Sequence, residues 1–133
     1  MKPYKIFDFK KFKNISGELF PITFDNTFPI KVKRIFFIYG KKKYKRRYHA
    51  HKKCSQVFYP LFGKVQVTIQ SKNINKKNII LDYKKNKAML VSPKTWCDIK
   101  FLSKNSIILV LCDYKYDYSD YIESYEDFIN KYQ

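Results

Sequence analysis

Lys64-Val65-Gln66-Val67-Thr68-Ile69-Gln70 alternates polar and apolar residues without a break. A period of two puts Val65, Val67 and Ile69 on one face of a strand and their polar neighbours on the other. Outward from this stretch, runs rich in β-branched and aromatic residues occupy 32–39, 56–61, 78–83, 88–92, 96–102 and 106–112. Polar segments at 40–45, 71–77, 84–87 and 103–105 separate them. Short strands at this regular spacing predict an all-β domain, either a sandwich or a small barrel. Gly40 and Gly63 fall at expected strand-edge turns, where a positive φ is useful.

The C-terminal tail changes period. Tyr121, Tyr125, Phe128 and Tyr132 recur at helical spacing, and Asp120 with Glu123 reads as a capping box. A short C-terminal helix is expected there, its aromatic stripe packed on the β body or on a partner subunit.

With 133 residues, 45% of them hydrophobic and 19% aromatic, the chain can bury one core, and residues 1–133 are expected to form a single domain. No run approaches the roughly 20 apolar residues of a membrane span. The N-terminal residues alternate lysine with aromatics and show no signal-peptide core. Cys54, Cys97 and Cys112 are odd in number and lack CxxC spacing, which argues against a disulfide framework or a zinc knuckle. A cytoplasmic setting is the expectation.

The net charge of +17 is unevenly spread, because the last 21 residues hold six of the 11 acidic groups: Asp113, Asp117, Asp120, Glu123, Glu126 and Asp127. A basic, aromatic-rich body is compatible with nucleic acid, an anionic membrane or a small polyphosphate. Nucleic acid would need its aromatics exposed along a groove, whereas the alternation directs most of them to a core. Most lysines read as solvated. Arg34, Arg46 and Arg47 are more informative, since the guanidinium fork suits bidentate recognition of phosphate.

Chemistry concentrates in Arg46-Arg47-Tyr48-His49-Ala50-His51, which holds both histidines of the protein. On a strand the two imidazoles project from one face. Gly40 lies before them, Gln56 five residues after His51, and Gly63 follows Gln56 after six intervening residues. This spacing resembles the first cupin motif: glycine, HxH, an acidic residue, glycine. Metal-binding cupins use the two histidines, the Glu and a later histidine; here Gln56 replaces the Glu, and Cys97 occupies the later region. Two imidazoles and an amide lack the anionic oxygen that balances a hard divalent ion. No metal and no other cofactor is expected, although a Cys97 thiolate would suit zinc.

A narrower resemblance covers positions 7–128. Arg34-Ile35-Phe36-Phe37-Ile38-Tyr39-Gly40, Arg46, His49-Ala50-His51-Lys52, Gln56-Val57, Val110-Leu111-Cys112-Asp113, Tyr116-Asp117, Asp120-Tyr121-Ile122 and Tyr125-Glu126-Asp127-Phe128 resemble the dTDP-sugar 3,4-ketoisomerases. The resemblance implies a cupin (jelly-roll) barrel, a homodimer with strand exchange, no metal, and dTDP-4-keto-6-deoxyglucose as substrate in the route to 3-amino sugars. It further implies His49 as the base that takes the C3 proton and His51 as relay or donor. Arg46 and Arg34 are implied for the pyrophosphate or sugar oxygens, and Gln56 for a sugar hydroxyl or for bracing an imidazole.

Three departures from the family matter. A tyrosine common in the Arg-x-Tyr-Tyr strand is replaced by Phe36 or Phe37, leaving Tyr39, Tyr44 and Tyr48 as candidate substitutes. Ser16 and Cys97 stand where members making the galacto product have Arg and His, which favours the gluco product. The alternatives are a sister dTDP-sugar epimerase and a non-catalytic sugar-nucleotide-binding cupin. The histidine–aspartate pairing of the epimerases has no counterpart visible in this sequence.

Overall fold

The computed structural model describes residues 2–132, the side chain of Arg47 excepted. Two five-stranded antiparallel sheets pack face to face. The first takes the order β1 (Tyr4–Asp8), β9 (Lys87–Val91), β6 (Gln56–Phe62), β11 (Asn105–Cys112), β4 (Arg34–Lys41). The second runs β12 (Tyr121–Ile122), β5 (Lys45–His51), β10 (Trp96–Phe101), β7 (Lys64–Ser71), β8 (Ile74–Asp82). A small hairpin joins β2 (Phe12–Asn14) to β3 (Gly17–Leu19). This is the jelly-roll architecture of the cupins, with the sheets stacked rather than hydrogen-bonded into a closed barrel.

The alternation in β7 does what its period requires. Val65, Val67 and Ile69 are buried against Phe58, Met89, Ile108 and Val110 from the opposite sheet. Side chains on the outer face of the first sheet, among them Val57, Tyr59 and Leu111, are covered by Phe9, Phe20, Ile22, Phe28 and Ile30 from the N-terminal segment.

Three local expectations are corrected. Gly40 lies inside β4, and its need is steric: a Cβ there would run into the Phe101 ring. Gly63 does take the turn conformation, at φ 79° between β6 and β7. The polar stretch after Ser71 turns only at Lys72 and Asn73, because β8 starts at Ile74 and pairs along β7 as an edge strand with one face open to water. The helix is α1 (Tyr125–Lys131), starting four residues later than the sequence pattern indicated. Its N-cap is Ser124, whose hydroxyl accepts from the Asp127 N–H. Asp120 does not cap it; that carboxylate is used elsewhere. The helix seals the outer face of the second sheet, with Phe128 fully buried against Trp96, Ala50 and Ile122. No helix among the described residues is long and apolar enough to cross a membrane.

Candidate active site

β5 carries the histidine pair. Ala50 packs outward against Trp96 and Phe128, so strand alternation turns His49 and His51 inward, between the sheets. The imidazoles meet nearly edge to face, centroids 5.0 Å apart. His51 is 6% exposed, whereas half-buried His49 helps to line a cleft of about 510 Å³. Phe36, Phe37 and Tyr39 of β4 form one wall of this cleft; Arg46, His49 and Tyr121 form the other.

β12 is short, and its register decides the chemistry. Tyr121 pairs with His51 and Ile122 with Ala50. Tyr121 therefore shares the inner face with the imidazoles while Ile122 joins the outer cluster. The Tyr121 ring lies 4.9 Å from His49 and 4.5 Å from His51, centroid to centroid.

Just before β12, the buried Asp120 carboxylate is bonded through both oxygens. Oδ2 lies 2.8 Å from His51 Nδ1, and Oδ1 accepts the Lys53 N–H at 2.7 Å. Its backbone carbonyl accepts the Lys52 N–H at 2.8 Å. An ionised carboxylate only accepts, so Nδ1 carries the proton and Nε2 is left as the basic nitrogen. A second carboxylate braces the same loop: Asp113 accepts the Ser55 N–H at 2.7 Å.

The His51–Asp120 pair corrects the reading that this chain has no histidine–aspartate couple. It spans 69 residues. Only the register of β12 brings the partners together.

The arginines divide. Arg46 is exposed and lines the cleft beside His49. Arg34 is half-buried, its guanidinium between the rings of Phe36 and Tyr116 at 4.8 and 5.0 Å. Stacking of this kind fixes the plane of the guanidinium and leaves its edge to donate. Gln56 is buried, and its amide donates to Cys112 Sγ at 3.5 Å; it is not among the residues lining the cleft.

Among the described residues, His51, Cys54 and Asp120 gather ligand atoms within 4.8 Å of one another. This cluster fits a cation poorly. Asp120 is committed to His51 and Lys53, and the Cys54 thiol is held protonated by its hydrogen bond with Cys112 and by burial.

A family model described as FdtA: WxcM-like, C-terminal matches residues 2–133. The chain belongs to the FdtA family. Within reach of that family it is 33% identical, over 125 residues, to the TDP-4-oxo-6-deoxy-alpha-D-glucose-3,4-oxoisomerase of Aneurinibacillus thermoaerophilus, covering 93% of this chain and 88% of that protein. QdtA, a sugar 3,4-ketoisomerase of Thermoanaerobacterium thermosaccharolyticum solved with TDP, superposes with a TM-score of 0.88 at 28% identity, over 98% of this chain and 94% of QdtA. A histidine-to-asparagine variant of QdtA, solved with TDP-4-keto-6-deoxyglucose, matches with a TM-score of 0.89 at 27% identity, over 99% and 95% of the two chains. FdtA-family membership thus agrees with the fold and with the resemblance drawn from the histidine segment.

Proposed function

We propose that this protein is a 3,4-ketoisomerase converting dTDP-4-keto-6-deoxyglucose to a dTDP-3-keto-6-deoxyhexose, with the gluco configuration at C4. The observation that carries the reading is the inward imidazole pair at the cleft, in a chain related from end to end to sugar 3,4-ketoisomerases.

His49, the imidazole exposed to the cleft, takes the C3 proton and returns it at C4 through an enediol. His51, with its tautomer set by Asp120, backs His49. The couple carries a net negative charge that favours the imidazolium as it forms. Arg46 on the cleft wall, with Arg34 behind Phe36, supplies donors for the diphosphate or sugar oxygens. Gln56 acts from within the core as a brace, in keeping with its burial.

No step calls for a metal or other cofactor. Residues 1–133 act as one cupin domain, in the cytoplasm, as a homodimer. A second copy is supported by Ile35, Phe37 and Tyr39, which expose 50%, 53% and 73% of their surface along β4, an edge strand. Within one chain β1 pairs with β9, and strand exchange would put the partner's β1 in the same register.

The test is incubation with dTDP-4-keto-6-deoxyglucose in D₂O, followed by NMR before and after dialysis against a strong chelator. A 3-keto product, formed equally by dialysed enzyme, is expected. Deuterium at C5 would instead indicate an epimerase, and binding without any exchange a non-catalytic cupin. Activity lost to the chelator and restored by zinc would overturn the metal-free reading.

A further inference from the structure

Two protons change place in a 3,4-ketoisomerisation. One moves from C3 to C4, and the other from the O3 hydroxyl to O4. His49 accounts for the first; while it holds the carbon-derived proton as an imidazolium it cannot also accept the second. The second transfer therefore needs another weak acid within hydrogen-bond reach of the same two oxygens.

The fold narrows the choice. Tyr39 borders the cleft but occupies an outward position on β4, between inward Ile38 and Gly40, and is 73% exposed. Tyr44 lies in the hairpin before β5 and is 68% exposed. Tyr48 is 51% exposed and is not among the residues lining the cleft. Phe36, opposite the histidines, has no hydroxyl. Tyr121 is different. Its strand register turns it inward, it lines the cleft, and its ring touches both imidazoles. Tyr118 stacks against it at 6.2 Å and Tyr116 tilts against it at 6.1 Å. Ile122, the next residue, is pinned by Phe128. This phenol is held in place by packing.

Resting on the ketoisomerase reading, we propose that Tyr121 is the second catalytic acid–base group, carrying the oxygen-bound proton from O3 to O4. In the first half the C3–H bond breaks, its proton passes to His49, and its electron pair forms the C3=C4 bond. The C4=O π pair moves to O4, which takes the Tyr121 phenol proton. In the second half the tyrosinate removes the O3 proton, C3=O forms, and C4 takes the proton from the His49 imidazolium. Each bond broken is matched by one formed, and the enzyme returns to its starting state without an oxidant or reductant.

Tyr121→Phe removes the hydroxyl and keeps the ring that packs on the imidazoles. In the D₂O assay it is expected to lower kcat about 10²- to 10³-fold, the usual contribution of a positioned acid–base group. KM should stay within threefold of wild type, with calorimetric dTDP affinity and melting temperature unchanged. If the variant melts well below wild type, 3,5-difluorotyrosine at position 121 replaces it, since fluorination acidifies the phenol with little change of shape. A kcat altered tenfold by that residue supports the proposal. A folded Tyr121→Phe enzyme with kcat within threefold of wild type, or a difluorotyrosine enzyme with unchanged kcat, overturns it. Failure of the wild type to form 3-keto product would be a separate result, removing the ketoisomerase reading itself.

Discussion

Replacing Asp120 by Asn tests the buried couple more sharply than replacing a histidine, because the structure dictates how the amide must sit. Asp120 Oδ1 accepts the Lys53 N–H, and an Asn can satisfy that donor only with its oxygen. Its NH₂ is then left facing His51 Nδ1, which must accept rather than donate. The proton moves to Nε2, and the nitrogen that was basic becomes a donor. Two losses follow. A charge-assisted hydrogen bond worth about 1.5–3 kcal/mol becomes a neutral one worth about 0.5–1.5, a difference of about 1–2 kcal/mol or roughly five- to thirtyfold in rate. The wrong tautomer adds to this, and in a Ser-His-Asp triad the same substitution costs about 10⁴ in kcat. His51 backs the base rather than acting as it, so the expected fall in kcat for Asp120→Asn is smaller than in the triad, about 10²- to 10³-fold.

The control is Asp113→Asn. Asp113 also accepts a backbone N–H of the 52–55 loop, from Ser55, but its bond goes to no histidine. Each variant is expected to melt about 4 °C lower, the shift that about 1 kcal/mol produces in a domain of this size. Only the Asp120 variant should lose turnover. Long-range ¹H–¹⁵N correlation spectra of the imidazoles report which nitrogen of His51 carries the proton. An Asp120→Asn enzyme that keeps its proton on Nδ1 and turns over within threefold of wild type would refute the reasoning.

Three further outcomes are expected. Asp98 has a buried Oδ1 with no hydrogen-bond partner among the described residues, and burial raises its pKa despite the nearby Lys76 and Lys45. Its ionisation therefore opposes folding at neutral pH, and the penalty disappears as pH falls through the unfolded-state value of about 3.9; Asp98→Asn should raise the melting temperature at pH 7 and give progressively less benefit towards pH 4. Gly40→Ala forces a methyl into the Phe101 ring and should cost about 1–3 kcal/mol, read by urea denaturation. Arg46→Ala should weaken dTDP binding about tenfold or more in calorimetric titration, whereas exchanging Lys41, Lys42 and Lys85 together for Gln should change it less than threefold, since exposed charges are screened beyond a Debye length of about 8 Å.

What the sequence disclosed was governed by local periodicity. Residues 64–70 alternate because one face of β7 is core and the other is not, and burial follows the letters. The histidine pair was legible for the same reason: positions 49 and 51 share a face on any strand. Local rules failed where a polar run is structural. The segment after Ser71 has the composition of a loop but is extended, because an edge strand needs side chains for only one buried face. Gly40 was misread because the ring it accommodates belongs to Phe101, 61 positions away in the chain.

Asp120 shows why half of the site stayed hidden. Its letter supports two readings, a helix cap for Glu123 or a strand-edge carboxylate, and the tyrosines that follow at helical spacing favour the first. The physical arbiter is burial. A cap at a solvent-facing helix end gains a hydrogen bond and keeps its hydration, whereas the Asp120 carboxylate, 5% exposed, has lost most of its water. Such a group is tolerable only where donors replace that water, and two N–H groups do so, His51 Nδ1–H and the Lys53 N–H, while the Lys52 N–H fixes the backbone carbonyl of the same residue. Ser124 takes over as the cap at little cost, since a hydroxyl there serves as well as a carboxylate. Asp120 is thereby free to orient His51, and the short β12 that follows places Tyr121 beside both imidazoles. One competition between local capping and long-range pairing thus positions the orienting carboxylate and the phenol together.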